Sequence, residues 1–168
     1  MGIGLLTLIF PFGLIYAALS DVSSFRIPNW LSIALVAAFP VVALACGMPV
    51  SQIGLGLLTA FGMLAVGFAL FALNVFGGGD AKLLAAAAAW VGPGALLSFL
   101  IMTALAGGLV TLAILGFRTT PIQPFYVRIG WLMRLHEARA GAPYGLAIAI
   151  GGVIVFSQTP LFAYAFGL

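Results

Sequence analysis

Apolar runs separated by short polar breaks set out the whole chain: residues 3–19, 30–47, 53–73, 81–117 and 144–166 carry almost no charge. A run of about 20 apolar residues spans a ~30 Å hydrocarbon core, so each run predicts a membrane-spanning helix. The fourth run is too long for one crossing, because a single helix over 81–117 would measure roughly 55 Å. Gly92-Pro93-Gly94 is the expected break. It leaves a short fourth helix at 81–91, about 16 Å long, and a fifth at 95–117. The pattern therefore predicts one domain over 1–168, an all-α integral membrane protein built as a polytopic bundle of six transmembrane helices. Pro40 falls inside the second helix, and Gly54, Gly56, Gly62 and Gly67 give the third small surfaces suited to close packing.

The breaks are short. Asp21-Val22-Ser23-Ser24-Phe25-Arg26-Ile27-Pro28-Asn29 is expected to be a polar connection, with Pro28 ending one element before the next begins. Residues 118–142 form the longest polar stretch, holding Arg118, Arg128, Arg134, His136, Glu137 and Arg139 among Phe125, Tyr126 and Trp131. Apolar residues go right round its helical wheel, which predicts an interfacial segment in contact with membrane lipids. Ala18-Leu19-Ser20 resembles a signal cleavage site, but no basic residue precedes the first run and five more segments follow, so a retained span is expected.

Composition agrees: 5% of the 168 residues are charged and 64% hydrophobic, with mean hydropathy +1.30, against roughly 25% charged in soluble domains. The pI of 9.5 rests on a net charge of only +3, which is no nucleic-acid footprint. One cysteine, Cys46, allows neither an internal disulfide nor a multi-cysteine zinc site. No metal or organic cofactor is expected.

Charge placement sets the expected topology. Arg26, Lys82 and the group Arg118, Arg128, Arg134 and Arg139 are each separated by two spans, so all six cations face one side. The positive-inside rule makes that side the cytoplasm and leaves both termini outside. The same path brings Asp21, Asp80 and Glu137, the whole set of acidic side chains, to that face.

Candidate chemistry centres on Asn74-Val75-Phe76-Gly77-Gly78-Gly79-Asp80-Ala81-Lys82, where a carboxylate and an ammonium interrupt hydrocarbon. An ionisable group at a membrane is costly and marks a functional site by default. The three glycines permit positive φ and let another backbone approach Asp80 closely. Asp21 and Asp80 at one boundary form a candidate aspartic dyad, one carboxylate taking a proton from water while its protonated partner polarises a carbonyl. Three readings stay open on these residues alone. The acids form such a dyad, they merely cap helices in a structural subunit, or they bind a cation in a small proton- or cation-coupled transporter.

Taken together, Asp21 with Arg26-Ile27-Pro28-Asn29-Trp30-Leu31, then Gly77-Gly78-Gly79-Asp80-Ala81-Lys82-Leu83, then Pro143-Tyr144-Gly145 resembles the type IV prepilin peptidase family of GxGD intramembrane aspartic proteases. The three motifs stand in family order along essentially the whole chain. The resemblance implies that Asp21 and Asp80 are the catalytic pair and that Gly77 and Gly79 are the glycines of GxGD. Pro28, Asn29, Lys82, Pro143, Tyr144 and Gly145 match further motif positions that bind substrate or shape the site. It implies a prepilin or pseudopilin substrate and a bacterial inner-membrane location. Larger members carry paired CxxC motifs between the first two spans and also N-methylate their product. Here residues 22–29 join those spans without a cysteine, so the likeness extends to the peptidase and not to methyl transfer. This short form resembles the peptidases of tight-adherence (Flp) pilus systems, and preflagellin peptidases form a related branch.

Overall fold

Alanine and glycine set how closely the helices approach. The computed structural model describes residues 3–122, 129–137 and 141–167, and all regular structure among them is helical. A 3-10 turn, Ile3–Leu8, leads into α1 (Ile9–Ser24), followed by α2 (Asn29–Ala45), α3 (Val50–Ala72) and α4 (Gly78–Arg118). Then come α5 (Gly130–His136), α6 (Tyr144–Val155), a 3-10 turn Phe156–Gln158 and α7 (Pro160–Phe166).

The first half of α4 is the centre of the bundle, with every residue from 83 to 92 buried. Its alanines let α3 come close: a Cβ on Gly67 would lie 2.9 Å from the Cβ of Ala81, and one on Gly56 would lie 2.8 Å from the carbonyl oxygen of Ala89. Those two contacts make α3 antiparallel to residues 78–91. Gly54 and Gly62, expected to serve the same purpose, face open space. Trp90 pins this centre, stacking on Phe10 at 5.3 Å and donating its indole N–H to the Leu35 carbonyl at 2.9 Å.

The chain turns back at Gly92, whose φ of 69° and ψ of 172° belong to a region that L side chains rarely enter. Pro93 follows, with a fixed φ suited to starting the next helical stretch. Beyond it Thr103 lies against Gly151, and Gly107 against Tyr144 and Ala147, so the second half of α4 runs antiparallel to α6. The predicted division of residues 81–117 at Gly92 therefore appears as a sharp kink at which two helical stretches of α4 join. One end of the bundle collects residues 21–29, 72–82, 107–118 and 144–145. Near the opposite end the two described chain ends meet, where a Cβ on Gly4 would lie 3.3 Å from the Ala165 carbonyl.

Three helices are long and apolar enough to cross a membrane: Gly4–Ser24, Val50–Ala72 and Gly78–Arg118. A fourth is reached if the pair bent by 50° at Thr159 counts as one span. Length and composition thus support three or four crossings where the sequence pattern predicts six. The difference lies in α2, apolar but only 17 residues long, in residues 78–118, whose two helical stretches joined at the Gly92 kink count as one crossing, and in the expected 144–166 span, which passes through a 3-10 turn at Phe156–Gln158 and bends at Thr159. Large apolar side chains such as Phe61, Phe68, Leu97 and Leu109 point outward, as lipid-facing residues of a membrane-embedded protein do.

Candidate active site

Asp21 does not lie in a connection. The Ser23 and Ser24 hydroxyls bond back to the Ser20 carbonyl, and α1 continues to Ser24 before Phe25 takes the left-handed conformation (φ 53°) that ends it. The Phe25 N–H then donates to the Asp21 carbonyl at 2.7 Å. The chain folds back over this end, its Arg26 carbonyl accepting from the Ser20 hydroxyl at 2.8 Å. Ile27 is thereby set against the helix ends, and Pro28 begins α2 as its N-cap. The Asp21 side chain, 6% exposed, points across to α6 and accepts the Gly145 backbone N–H at 2.7 Å. Gly145 is the second residue of α6 after the N-cap Pro143, so the carboxylate sits at the positive end of a helix dipole.

Asp80 occupies the corresponding place on α4. Gly77 is the N-cap and Asp80 lies in the first turn, where its carboxylate accepts the Gly77 backbone N–H, half of a capping box. The glycines do not take positive φ: Gly77 has φ −71°, and the left-handed turn before the helix falls on Asn74 (φ 57°). Phe76 packs on Tyr144 with ring centroids 5.6 Å apart, tying this loop to the start of α6.

Ile27 packs against a glycine beside each acid, Gly145 next to Asp21 and Gly79 next to Asp80. A Cβ on Gly145 would come within 2.9 Å of its Cδ1, and one on Gly79 within 3.4 Å of its Cβ. Asp21 and Asp80 come to the same end of the bundle, within electrostatic range of each other. Each also abuts a glycine that leaves no room for a side chain: a Cβ on Gly145 would lie 2.8 Å from Asp21 Oδ2, and one on Gly77 2.5 Å from Asp80 Oδ2.

Lys82, one of the matched motif residues, donates to Asn29 Oδ1 at 2.9 Å, bridging α4 and α2 at this same end. Arg134 donates to the Ser23 carbonyl at 3.1 Å, and Arg118 to the Leu135 carbonyl at 2.9 Å. Arg26, Lys82, Arg118 and Arg134 therefore share the end that holds the two acids. Arg128 and Arg139, expected with them, lie outside the described residues, as do Phe125, Tyr126, Met1 and Leu168. Two residues escaped the sequence reading. Ile27 was visible as part of the Arg26–Leu31 motif but had no assigned place, and nothing in the sequence marked Ser32, a buried hydroxyl close to Lys82.

The capping reading and the paired-acid reading are thus compatible. Each carboxylate satisfies a helix N-terminus, Asp80 on its own helix and Asp21 on a partner helix, and both lie at the same end of the bundle. Two carboxylates brought to one end of a bundle can act on a carbonyl placed between them, one as base and the other as acid.

Comparison with known proteins returned no match among curated proteins and none among solved structures. The model of the Type IV leader peptidase family matches residues 8–112, more than half of the chain. That region contains both aspartates and the glycine tract, while Gly145, which binds Asp21, lies beyond it. By that match, the chain belongs to the type IV leader peptidase family.

Proposed function

We propose that the protein is an intramembrane aspartic endopeptidase that removes the short basic leader of a type IV pilin-like precursor, with Asp21 and Asp80 as the catalytic pair. One observation carries the reading: two carboxylates from distant parts of the chain, each held by a glycine N–H at a helix N-terminus, come to one end of the bundle, with Ile27 packed against the glycines beside both. In the ionised member a carboxylate oxygen takes a proton from water as that water attacks the scissile carbonyl. The protonated member donates a hydrogen bond to the carbonyl oxygen. Collapse of the tetrahedral intermediate breaks the C–N bond as the amine gains a proton from the pair. This chemistry asks for no metal or organic cofactor.

The pair sits at the end of the bundle that gathers Arg26, Lys82, Arg118 and Arg134, and a cationic end faces the cytoplasm by the positive-inside rule. On a six-span path in a bacterial inner membrane, that orientation leaves both termini outside. Cleavage then falls at the cytoplasmic boundary, where a basic leader gives way to an apolar segment. A carrier would hold these acids near the midplane of an internally duplicated bundle, and their position at one end favours the peptidase. The cysteine-free link over residues 22–29 favours an Flp-type or pseudopilin precursor and leaving out methyl transfer.

Co-expression with Flp-type, pseudopilin and preflagellin precursors, followed by mass measurement of the products, tests the reading. The expected result is loss of the leader from a pilin-like precursor with no added methyl mass. Intact precursors throughout would contradict it.

A further inference from the structure

A groove of about 460 Å³ opens on the outer surface of the bundle between α2, α3 and the first half of α4. Ile33, Ala37 and Leu64 form its apolar wall, and Asn29 and Lys82 close it at the end nearest the aspartates. Asn29 to Ala37 covers about 12 Å of helix axis, two turns of a partner helix. Lys82 lies in the opening turns of α4, one turn or less from Asp80 along the axis, so the groove starts at the end of the bundle that holds the candidate site.

Its polar lining points to an occupant. Ser32 lines the groove and is 5% exposed, and its hydroxyl oxygen has no hydrogen-bond partner among the described residues. The helix hydroxyls of Ser23, Ser24 and Thr59 bond back to carbonyls of their own helices. The other buried helix hydroxyl without a partner among the described residues, Thr103, is packed against Gly151 and lines no groove with Lys82. A second groove of about 430 Å³, between α1 and α6, is lined wholly by apolar residues such as Leu19 and Ile150. That second groove suits lipid chains, which offer nothing to a hydroxyl.

We propose that the groove between α2 and α3 is the lateral access route of the substrate, seating the apolar helix that follows the scissile bond. This rests on the peptidase reading and assigns Lys82, Asn29 and Ser32 a role within it. For hydrolysis the substrate must unwind beside Asp80, and carbonyls freed from a helix at a membrane need donors. The Lys82 ammonium has three N–H donors and the Asn29 carboxamide two, more than their mutual bond uses. The Ser32 hydroxyl adds another farther along the groove.

Two measurements test the proposal on the purified, reconstituted protein. A photo-crosslinking residue at Ile33 is expected to capture the apolar segment of a full-length prepilin, and one at Ile150 is not. Ala37→Trp, which fills the groove from an exposed position, is expected to raise KM for that prepilin about tenfold at similar kcat. Cleavage of a soluble peptide that carries the leader but no apolar segment stays unchanged, and Ile150→Trp leaves both substrates alone. Capture from Ile150 and not Ile33, capture of lipid only, or an unchanged KM in Ala37→Trp would overturn the groove. Crosslinking is read independently of turnover, so capture at Ile33 by a protein that cleaves neither substrate refutes the peptidase reading and leaves the groove standing.

Discussion

Asp21 accepts a 2.7 Å hydrogen bond from the backbone N–H of Gly145, which stands 124 positions later in the chain. The bond closes α1 onto the first turn of α6, and it forms only because Gly145 has no Cβ to hold the carboxylate away. Gly77 bears the same relation to Asp80 at the head of α4.

Alanine at either of these glycines is predicted to disable cleavage. A Cβ 2.5 Å from Asp80 Oδ2 or 2.8 Å from Asp21 Oδ2 forces the carboxylate to move, and ~1 Å of misplacement can cost about 100-fold in rate. Gly78→Ala meets the edge of the Phe71 ring at 3.3 Å, a neighbour that can yield, and is expected to remain active. Turnover per mole of purified enzyme separates the cases, and equal rates for Gly77→Ala and Gly78→Ala would contradict the argument.

Gly79→Ala asks a different question. A Cβ there makes only ordinary contact with Ile27 at 3.4 Å, so the folded protein accommodates it. If substrate backbone lies against this position, cleavage falls while the membrane expression level and thermal midpoint hold. Unchanged turnover would mean that the tract serves the helix start alone.

Gly92 is predicted to matter for stability and not for chemistry. Its backbone lies in a region that costs a side chain about 1–3 kcal/mol, although a Cβ would find space 3.8 Å from Pro160. Gly92→Ala should lower the thermal midpoint in detergent with KM unchanged. A midpoint equal to wild type would show that the break relaxes without strain.

Much of this arrangement was legible in the sequence because apolar run length reports helices directly and the three motifs locate the acids. The break at Gly92-Pro93-Gly94 was readable for the same reason, since those residues cannot continue a helix easily. Asp21 was misplaced into a connection because its neighbours Ser23 and Ser24 look like loop residues, while in the fold their hydroxyls bond back to Ser20 and the helix runs on. The glycine tract suggested positive φ, yet the left-handed residue is Asn74. The Asp21–Gly145 bond was out of reach, since tertiary approach decides it and no local spacing encodes it. The 144–166 run reads as one continuous helix, and only the structure gives the bend at Thr159.

Orientation makes a further prediction. Gln52 and Gly94 line one cavity at the end of the bundle away from the aspartates. In a Cys46→Ala background, single cysteines at Gln52 and Gly94 should react with a membrane-impermeant thiol reagent from outside the cell. A cysteine replacing Arg26 should react only after the membrane is opened. Labelling of Gly94 from the cytoplasmic side alone would reverse the proposed orientation.

The pairing of Asp21 with Asp80 as a proton-sharing dyad is tested most directly by leader cleavage in Asp21→Asn and Asp80→Asn. Asparagine nearly preserves the shape, and its side-chain oxygen can still accept the Gly145 or Gly77 N–H, so the helix ends stay capped. What it removes is the ability to take and return a proton. Both variants should reach the membrane and unfold near the wild-type temperature while leader removal, read by mass on a co-expressed prepilin, falls below detection. Cleavage near the wild-type rate by either variant would contradict the dyad.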